Sequence, residues 1–313
     1  MKTALIFPGQ GSQTVGMGSE LASQFPVAKA VFDEVDSALG QKLSSLIFDG
    51  PQDTLTLTEN AQPAIMATSI AALRVMQKEL GFDVATQAHF VAGHSLGEYS
   101  ALCAAGVLTL ADTARLLRLR GQSMQKAVPQ GQGAMAALIG ADLAQAEDVA
   151  TEAAQGEVCS VANDNAPGQV VISGHKAAID RAIVIAKDKG IKRALLLEVS
   201  APFHCSLMAP AAEAMKEALA KVRFHAPCVP VVANVIASAE SNPDKLRELL
   251  VQQVTGVVRW RESIHYLKAQ GVARCIEIGA GKVLSGMVKR IESDIECSNI
   301  GLPADLTSFA KAA

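Results

Sequence analysis

Neither sign of charge is in excess along this chain, and that shortage narrows its partners first. Lysine and arginine number 28 against 31 aspartates and glutamates, a net charge of -3, and no long basic run occurs. Neither a nucleic acid nor an anionic membrane is therefore expected as the main partner. Long apolar runs are missing too: the tract 226–237 is interrupted by Pro230 and Asn234, short of the roughly 20 residues a membrane helix needs. The opening MKTALIF, with one lysine ahead of five residues and then Pro8-Gly9, is too short for the apolar core of an export signal. The six cysteines (103, 159, 205, 228, 275 and 297) form no C-x-x-C pair and no metal-like Cys/His spacing. They read as reduced thiols of a cytoplasmic protein without a bound metal. Internal repeats and low-complexity tracts are also absent.

What is present is a globular chain, with 50% hydrophobic and 19% charged residues over 313 positions, enough for two domains. Short apolar runs (4–7 and HFVAG) alternate with helix-like stretches at 19–39, 62–80 and 96–127, the rhythm of a parallel sheet covered by helices. After the break PQGQG (129–133) the pattern becomes βαββαβ, the length of a ferredoxin-like insert, after which the strand at 194–200 is expected to return to the main body. Helix-like 206–222 and 243–253, with strands VPVVANV and ARCIEIG, resume the larger unit. The expected organisation is an α/β catalytic domain of residues 1–128 and 200–313 carrying a subdomain of 129–199. The last fifteen residues carry no pattern.

Within HFVAGHSLGEYS an apolar run stops at Gly93-His94-Ser95-Leu96-Gly97 and a small-residue helix follows. A sharp strand-to-helix turn leaves no room beside its apex, which asks for the two glycines and presents the Ser95 hydroxyl outward. The Leu96 amide then sits at a helix start, where negative charge is favoured. A capped helix start packed through glycines fits the same five residues.

A serine nucleophile needs a base, normally histidine. Of the six histidines, His94 adjoins Ser95, but neighbouring side chains diverge at such a turn, so it reads as a packing or loop partner. His89 begins a strand, and His175, His225 and His265 lie beside surface helices or loops. His204, in EVSAPFHCSLMAP, follows a strand end, where open α/β sheets place their sites; a structural role fits it equally. No orienting acid stands out among Asp164, Glu198 and Glu277, and a backbone carbonyl can hold the tautomer instead. At about 100° per residue, Arg120 shares a helix face with Leu116, Leu117 and Met124, while Arg115, Arg118, Gln122 and Lys126 fall opposite. A buried guanidinium demands a carboxylate or phosphate, through an internal salt bridge or a clamp for an acidic substrate. The glycine-rich FPGQGSQTVG, GQGAMA and IGAGKVLSG fail the nucleotide fingerprints in residue type or position.

Phe7-Pro8-Gly9-Gln10-Gly11-Ser12-Gln13, Gly93 to Tyr99, Arg120-Gly121, Asn163 to Gln169 and Ser200 to His204 stand in this order across the chain. In these five motifs the sequence closely resembles the malonyl-CoA:acyl carrier protein transacylases. The resemblance implies a hydrolase-like α/β domain with a ferredoxin-like subdomain, and no cofactor, since malonyl-CoA is a substrate and acyl carrier protein the acceptor. It implies that Ser95 accepts the acyl group, His204 is the base, the amides of Leu96 and Gln10 hold the oxyanion, and the Gln253 carbonyl orients the histidine. Arg120 would face the malonyl carboxylate, with His94, Asn163, Asn165 and Phe203 beside the substrate and Phe203 excluding branched malonyl groups. Cys205 departs from the usual Ser or Thr, and Ala280 from the usual proline. A serine thioesterase or esterase shares the same elbow. A carrier-docking subunit without catalysis predicts loss of the nucleophile or base, which are both present. Fatty acid, polyketide and malonate metabolism are not separated by these motifs.

Overall fold

Ten strands form among residues 1–312, the part of the chain described by the computed structural model. They are β1 (Lys2–Phe7), β2 (Phe90–Gly93), β3 (Gly133–Ile139), β4 (Cys159–Ala166), β5 (Gln169–His175), β6 (Arg193–Leu196), β7 (Val231–Ala233), β8 (Ser238–Glu240), β9 (Val272–Ile278) and β10 (Glu296–Ile300). Six make a sheet ordered β10-β9-β1-β2-β7-β8, parallel except for β8, which returns antiparallel to β7. The other four make an antiparallel sheet ordered β4-β5-β3-β6. With helices Leu143–Ala154 and Lys176–Asp188 packed on it, this sheet has the ferredoxin-like βαββαβ arrangement.

Burial on both faces explains why the central strands read as unbroken apolar runs. In β1, Leu5 and Phe7 join the cluster that contains Ile65 and Ile70 of the long helix Thr58–Leu80, whereas Ala4 and Ile6 pack with Trp260, Ile264 and Leu267. Among the described residues no helix is long and apolar enough to cross a membrane.

Local chemistry divides several stretches that periodicity runs together. The helix expected over 19–39 is two, Ser19–Gln24 and Pro26–Leu39, because Phe25 before proline is held extended. That over 96–127 is also two, Gly97–Ala104 and Leu110–Ala127, separated by Gly106 at φ 76° and restarted by Thr109, whose side chain accepts from the Asp112 amide. The stretch 206–222 shortens to a 3-10 turn at Ser206–Met208 and a helix at Ala209–Leu219. The strand expected over 194–200 ends at Leu196, paired with β3 in the small sheet. The patternless tail holds the last two residues of β10 and the helix Pro303–Ala312.

The carboxyl ends of β1, β2 and β7 converge. There the chain turns through Gln10, Ser95 and Asn234, the edge where parallel sheets place their ligands.

Candidate active site

Ser95 sits at φ 53°, a left-handed conformation that non-glycine residues seldom adopt outside sites that require it. The flanking glycines are forced by space. A Cβ on Gly93 would lie 1.9 Å from the Gly97 carbonyl oxygen, and one on Gly97 would lie 2.3 Å from that of Phe7. The amides of Gln10 and Leu96, both lining the same cavity of about 370 Å³, have no acceptor among the described residues.

His204 arrives from the loop before Ser206 and places Nε2 2.7 Å from Ser95 Oγ. Its Nδ1 lies 2.9 Å from the carbonyl oxygen of Gln253. A carbonyl only accepts, so Nδ1 carries the proton and Nε2 presents a lone pair to the serine hydroxyl. Burial, reinforced by the positive charge of Arg120, pushes the His204 pKa down to about 3 against the hydrogen bond it donates to the Gln253 carbonyl. The ring is neutral at physiological pH.

Arg120 is buried on the helix Leu110–Ala127, on the face that also carries Leu116, Leu117 and Met124. Gly121 beside it is a point of close approach, since a Cβ there would meet the Glu59 Cα at 2.5 Å. That contact draws Arg120 over the start of Thr58–Leu80. Its Nη1 donates to Gln62 Oε1 at 2.7 Å, and its Nη2 to Gln253 Oε1 at 2.9 Å and to Ser95 Oγ at 3.2 Å. Its guanidinium lies 5.6 Å from the Tyr99 ring centroid. All three acceptors are neutral. Burial lowers the Arg120 pKa, opposed by the neighbouring Tyr99 and Glu98 side chains, yet a guanidinium stays cationic. The site therefore holds a buried positive charge whose hydrogen-bond partners include no carboxylate.

His94 bonds Asn165 rather than the serine, its Nε2 2.7 Å from Asn165 Oδ1 on β4, and burial lowers its pKa. The small sheet is fastened to the main body at this place. The Asp164 amide donates to the Val258 carbonyl and the Val258 amide to that of Ala162, an isolated parallel bridge joins Asn163 to Val258, and Arg261 pairs with the buried Asp164 at 2.8 Å. Asn163, Asn165 and Phe203 line the cavity with Ser95, His94 and Arg120.

The other histidines stay outside. His89 accepts from the Thr3 amide, His175 from that of Val158, and His265 lies against Glu292. Of the three acids, Asp164 is paired with Arg261, Glu277 accepts from the Leu284 and Ser285 amides at the next helix start, and Glu198 lines the cavity wall. Cys205 is buried with its thiol donating to the Pro202 carbonyl, and burial raises its pKa. Ala280 lies between Gly279 and Gly281, both at positive φ. Periodicity gave no sign of Gln62, which follows the polar Thr58-Glu59-Asn60, or of Asn234, whose only mark is a polar residue in an otherwise apolar run.

Residues 4–300 match the family model of the acyl transferase domain. The chain is 48% identical over 305 residues to the malonyl CoA-acyl carrier protein transacylase of Escherichia coli strain K12, covering 97% of each. The solved structure of the acyl-carrier-protein-S-malonyltransferase from Bartonella henselae is 54% identical, with a TM-score of 0.97 over 100% of this chain and 99% of that one. A structure of a type II PKS acyl-carrier protein in complex with its malonyl-transacylase is similar at 42% identity and a TM-score of 0.96, over 100% of both chains.

Proposed function

Since the chain belongs to the acyl transferase family, we propose that it moves the malonyl group of malonyl-CoA to the phosphopantetheine thiol of acyl carrier protein through an ester of Ser95. The observation that carries this reading is a buried cation that hydrogen-bonds no carboxylate and reaches the serine: Arg120 Nη2 stands 3.2 Å from Ser95 Oγ. A malonyl group has its carboxylate one methylene beyond the carbonyl carbon that the serine attacks, so one substrate satisfies both side chains.

His204 Nε2 takes the Oγ proton as Oγ attacks the thioester carbon. The amides of Gln10 and Leu96 receive the developing oxyanion. Collapse breaks the carbon–sulfur bond, and the proton returns from His204 to the leaving CoA sulfur. In the second half the carrier's thiol gives its proton to His204 and attacks the ester carbon, and Ser95 leaves with that proton. Gln253 holds the imidazole through its carbonyl, His94, Asn163 and Asn165 border the acyl site, and the Phe203 ring fills space that an α-branched group would need. These steps call for no cofactor. The product supplies fatty acid biosynthesis, and the reading places the enzyme in the cytoplasm, where its six free cysteines stay reduced.

Malonyl-CoA without carrier protein is expected to raise the intact mass of the protein by one malonyl group, mapped to Ser95. Free malonate released in place of a stable adduct would make it a thioesterase. An adduct on Cys103 or Cys205 would remove the serine from the mechanism.

The depressed pKa of His204 also sets a pH profile. The base form persists at every pH above about 3, so kcat/KM for serine acylation is expected to stay level from pH 8 down to 5. A limb centred near the ordinary histidine value of about 6.5 would show that the ring is not held as described. Stability follows the same linkage: the unfolded chain binds the proton more readily between those two values, so His204's contribution weakens as pH falls through that window.

A further inference from the structure

We propose that Glu98 is a positioning residue whose buried side chain, with Asn234, fixes Gln253 and thereby aligns His204 and Arg120 on the same serine. This rests on the malonyl-transfer reading and adds to it a pair of residues outside the reacting groups.

Gln253 is where the site's hydrogen bonds meet. Its backbone carbonyl accepts from His204 Nδ1 and its side-chain oxygen from Arg120 Nη2, each at 2.9 Å. Its amide nitrogen has two hydrogens, and the nearest acceptors are the Ser95 carbonyl at 2.9 Å and Glu98 Oε2 at 3.0 Å. The Glu98 contact, with a longer one to Asn234 Oδ1 at 3.4 Å, comes from a group that is neither nucleophile, base nor clamp. The Glu98 carboxyl is completely buried at the start of the helix Gly97–Ala104, and the same Oε2 accepts from the Asn234 amide at 2.9 Å. Asn234 in turn spans the elbow, its Oδ1 accepting from the Ser95 amide at 2.8 Å and its Nδ2 donating to the Gly93 carbonyl at 2.7 Å. One oxygen of Glu98 thus ties the turn that carries the serine to the side chain that carries the arginine.

The work asked of Glu98 is acceptance of two hydrogen bonds, which does not require its charge. Burial pushes its carboxyl up to about 7, against hydrogen bonds from Asn234 and Gln253 and the charge of Arg120. Oε1 has no partner, so a proton taken up there leaves Oε2 an acceptor. A glutamine presents the same oxygen, whereas a leucine of similar size presents none and leaves two buried donors unpaired.

The experiment measures kcat/KM for malonyl-CoA and acetyl-CoA in wild type, Glu98→Gln and Glu98→Leu, corrected for the fraction of protein that can be acylated. Misplacement of catalytic groups by about 1 Å can cost roughly 10²-fold, and that is the expected fall of Glu98→Leu with malonyl-CoA. Acetyl-CoA depends on His204 and Ser95 but not on the clamp, so the malonyl-to-acetyl ratio should fall about tenfold for a lost contact of about 1.4 kcal/mol, while Glu98→Gln keeps it. Loss of folded protein alone lowers both substrates together. An unchanged ratio in Glu98→Leu, or an equal fall in Glu98→Gln, would overturn the inference. Failure of wild type to form the malonyl ester would instead overturn the malonyl-transfer reading.

Discussion

Alanine at Ser95 is expected to abolish both the malonyl adduct and transfer to the carrier, and alanine at His204 to slow serine acylation by about 10² to 10⁴-fold, the usual worth of a general base. The two side chains share a hydrogen bond, Oγ 2.7 Å from Nε2, and on the proposed reading they serve one step. The double variant should therefore be no slower than Ser95→Ala alone, because a serine without its base and a base without its serine fail at the same step. Rapid mixing with malonyl-CoA, followed by mass analysis of the quenched protein, reads acylation without the second half-reaction. Near-normal acylation of His204→Ala at neutral pH would remove the histidine from the mechanism. His204 lies at φ 59°, so thermal unfolding of each variant should accompany the rates, to separate lost chemistry from a loosened loop.

Arg120→Ala is expected to lower kcat/KM for malonyl-CoA by about 10² to 10⁴-fold, corresponding to the roughly 3 to 5 kcal/mol lost when one partner of a buried ion pair is removed. Acetyl-CoA brings no carboxylate and should lose far less. Its residual loss has an identifiable source: without the guanidinium, the side-chain oxygens of Gln62 and Gln253 lose the donor they share. Gln253 stays anchored by the Ser95 carbonyl and Glu98. Lysine should rescue only in part, because a point charge lacks the planar fork that reaches Gln62, Gln253 and two carboxylate oxygens together. The decisive quantity is the malonyl-to-acetyl ratio of kcat/KM. An equal drop for both substrates would show that Arg120 supports the fold rather than reading the acyl group.

The residues visible in the sequence are those whose constraint is local. The elbow is legible because the crowding of Gly93 against Gly97 acts within five residues, even though Gly97 is itself pressed by the distant Phe7 carbonyl. Arg120 is legible because helical phase alone puts it among leucines. His204 shows only by its position after a strand end, and chain pattern does not place it against Ser95, 109 residues away. The bonds of Gln253 to His204 run through a backbone carbonyl, which leaves no trace in residue type. Glu98 and Asn234 meet across 136 residues, and each looks locally like an isolated polar residue. The misread helix ends at Phe25 and Gly106 have the opposite cause: a proline and a left-handed glycine override a hydrophobic period that continues across them.

The junction between the two sheets bears on how this enzyme can be recombined. His94, next to Ser95, leans on Asn165 of β4, and the same strand is bonded to Val258 and Arg261 on the segment that follows Gln253. The small sheet is thus a wall of the cavity that holds Ser95 and part of its frame, unlike an appendage that can be cut away. A chimera that borrows residues 133–196 from a relative to change acyl choice would also import a foreign brace for the elbow. Its donor must match at positions 94, 258 and 261 as well as within the exchanged stretch, so grafts chosen by subdomain boundary alone would alter the catalytic turn along with the pocket.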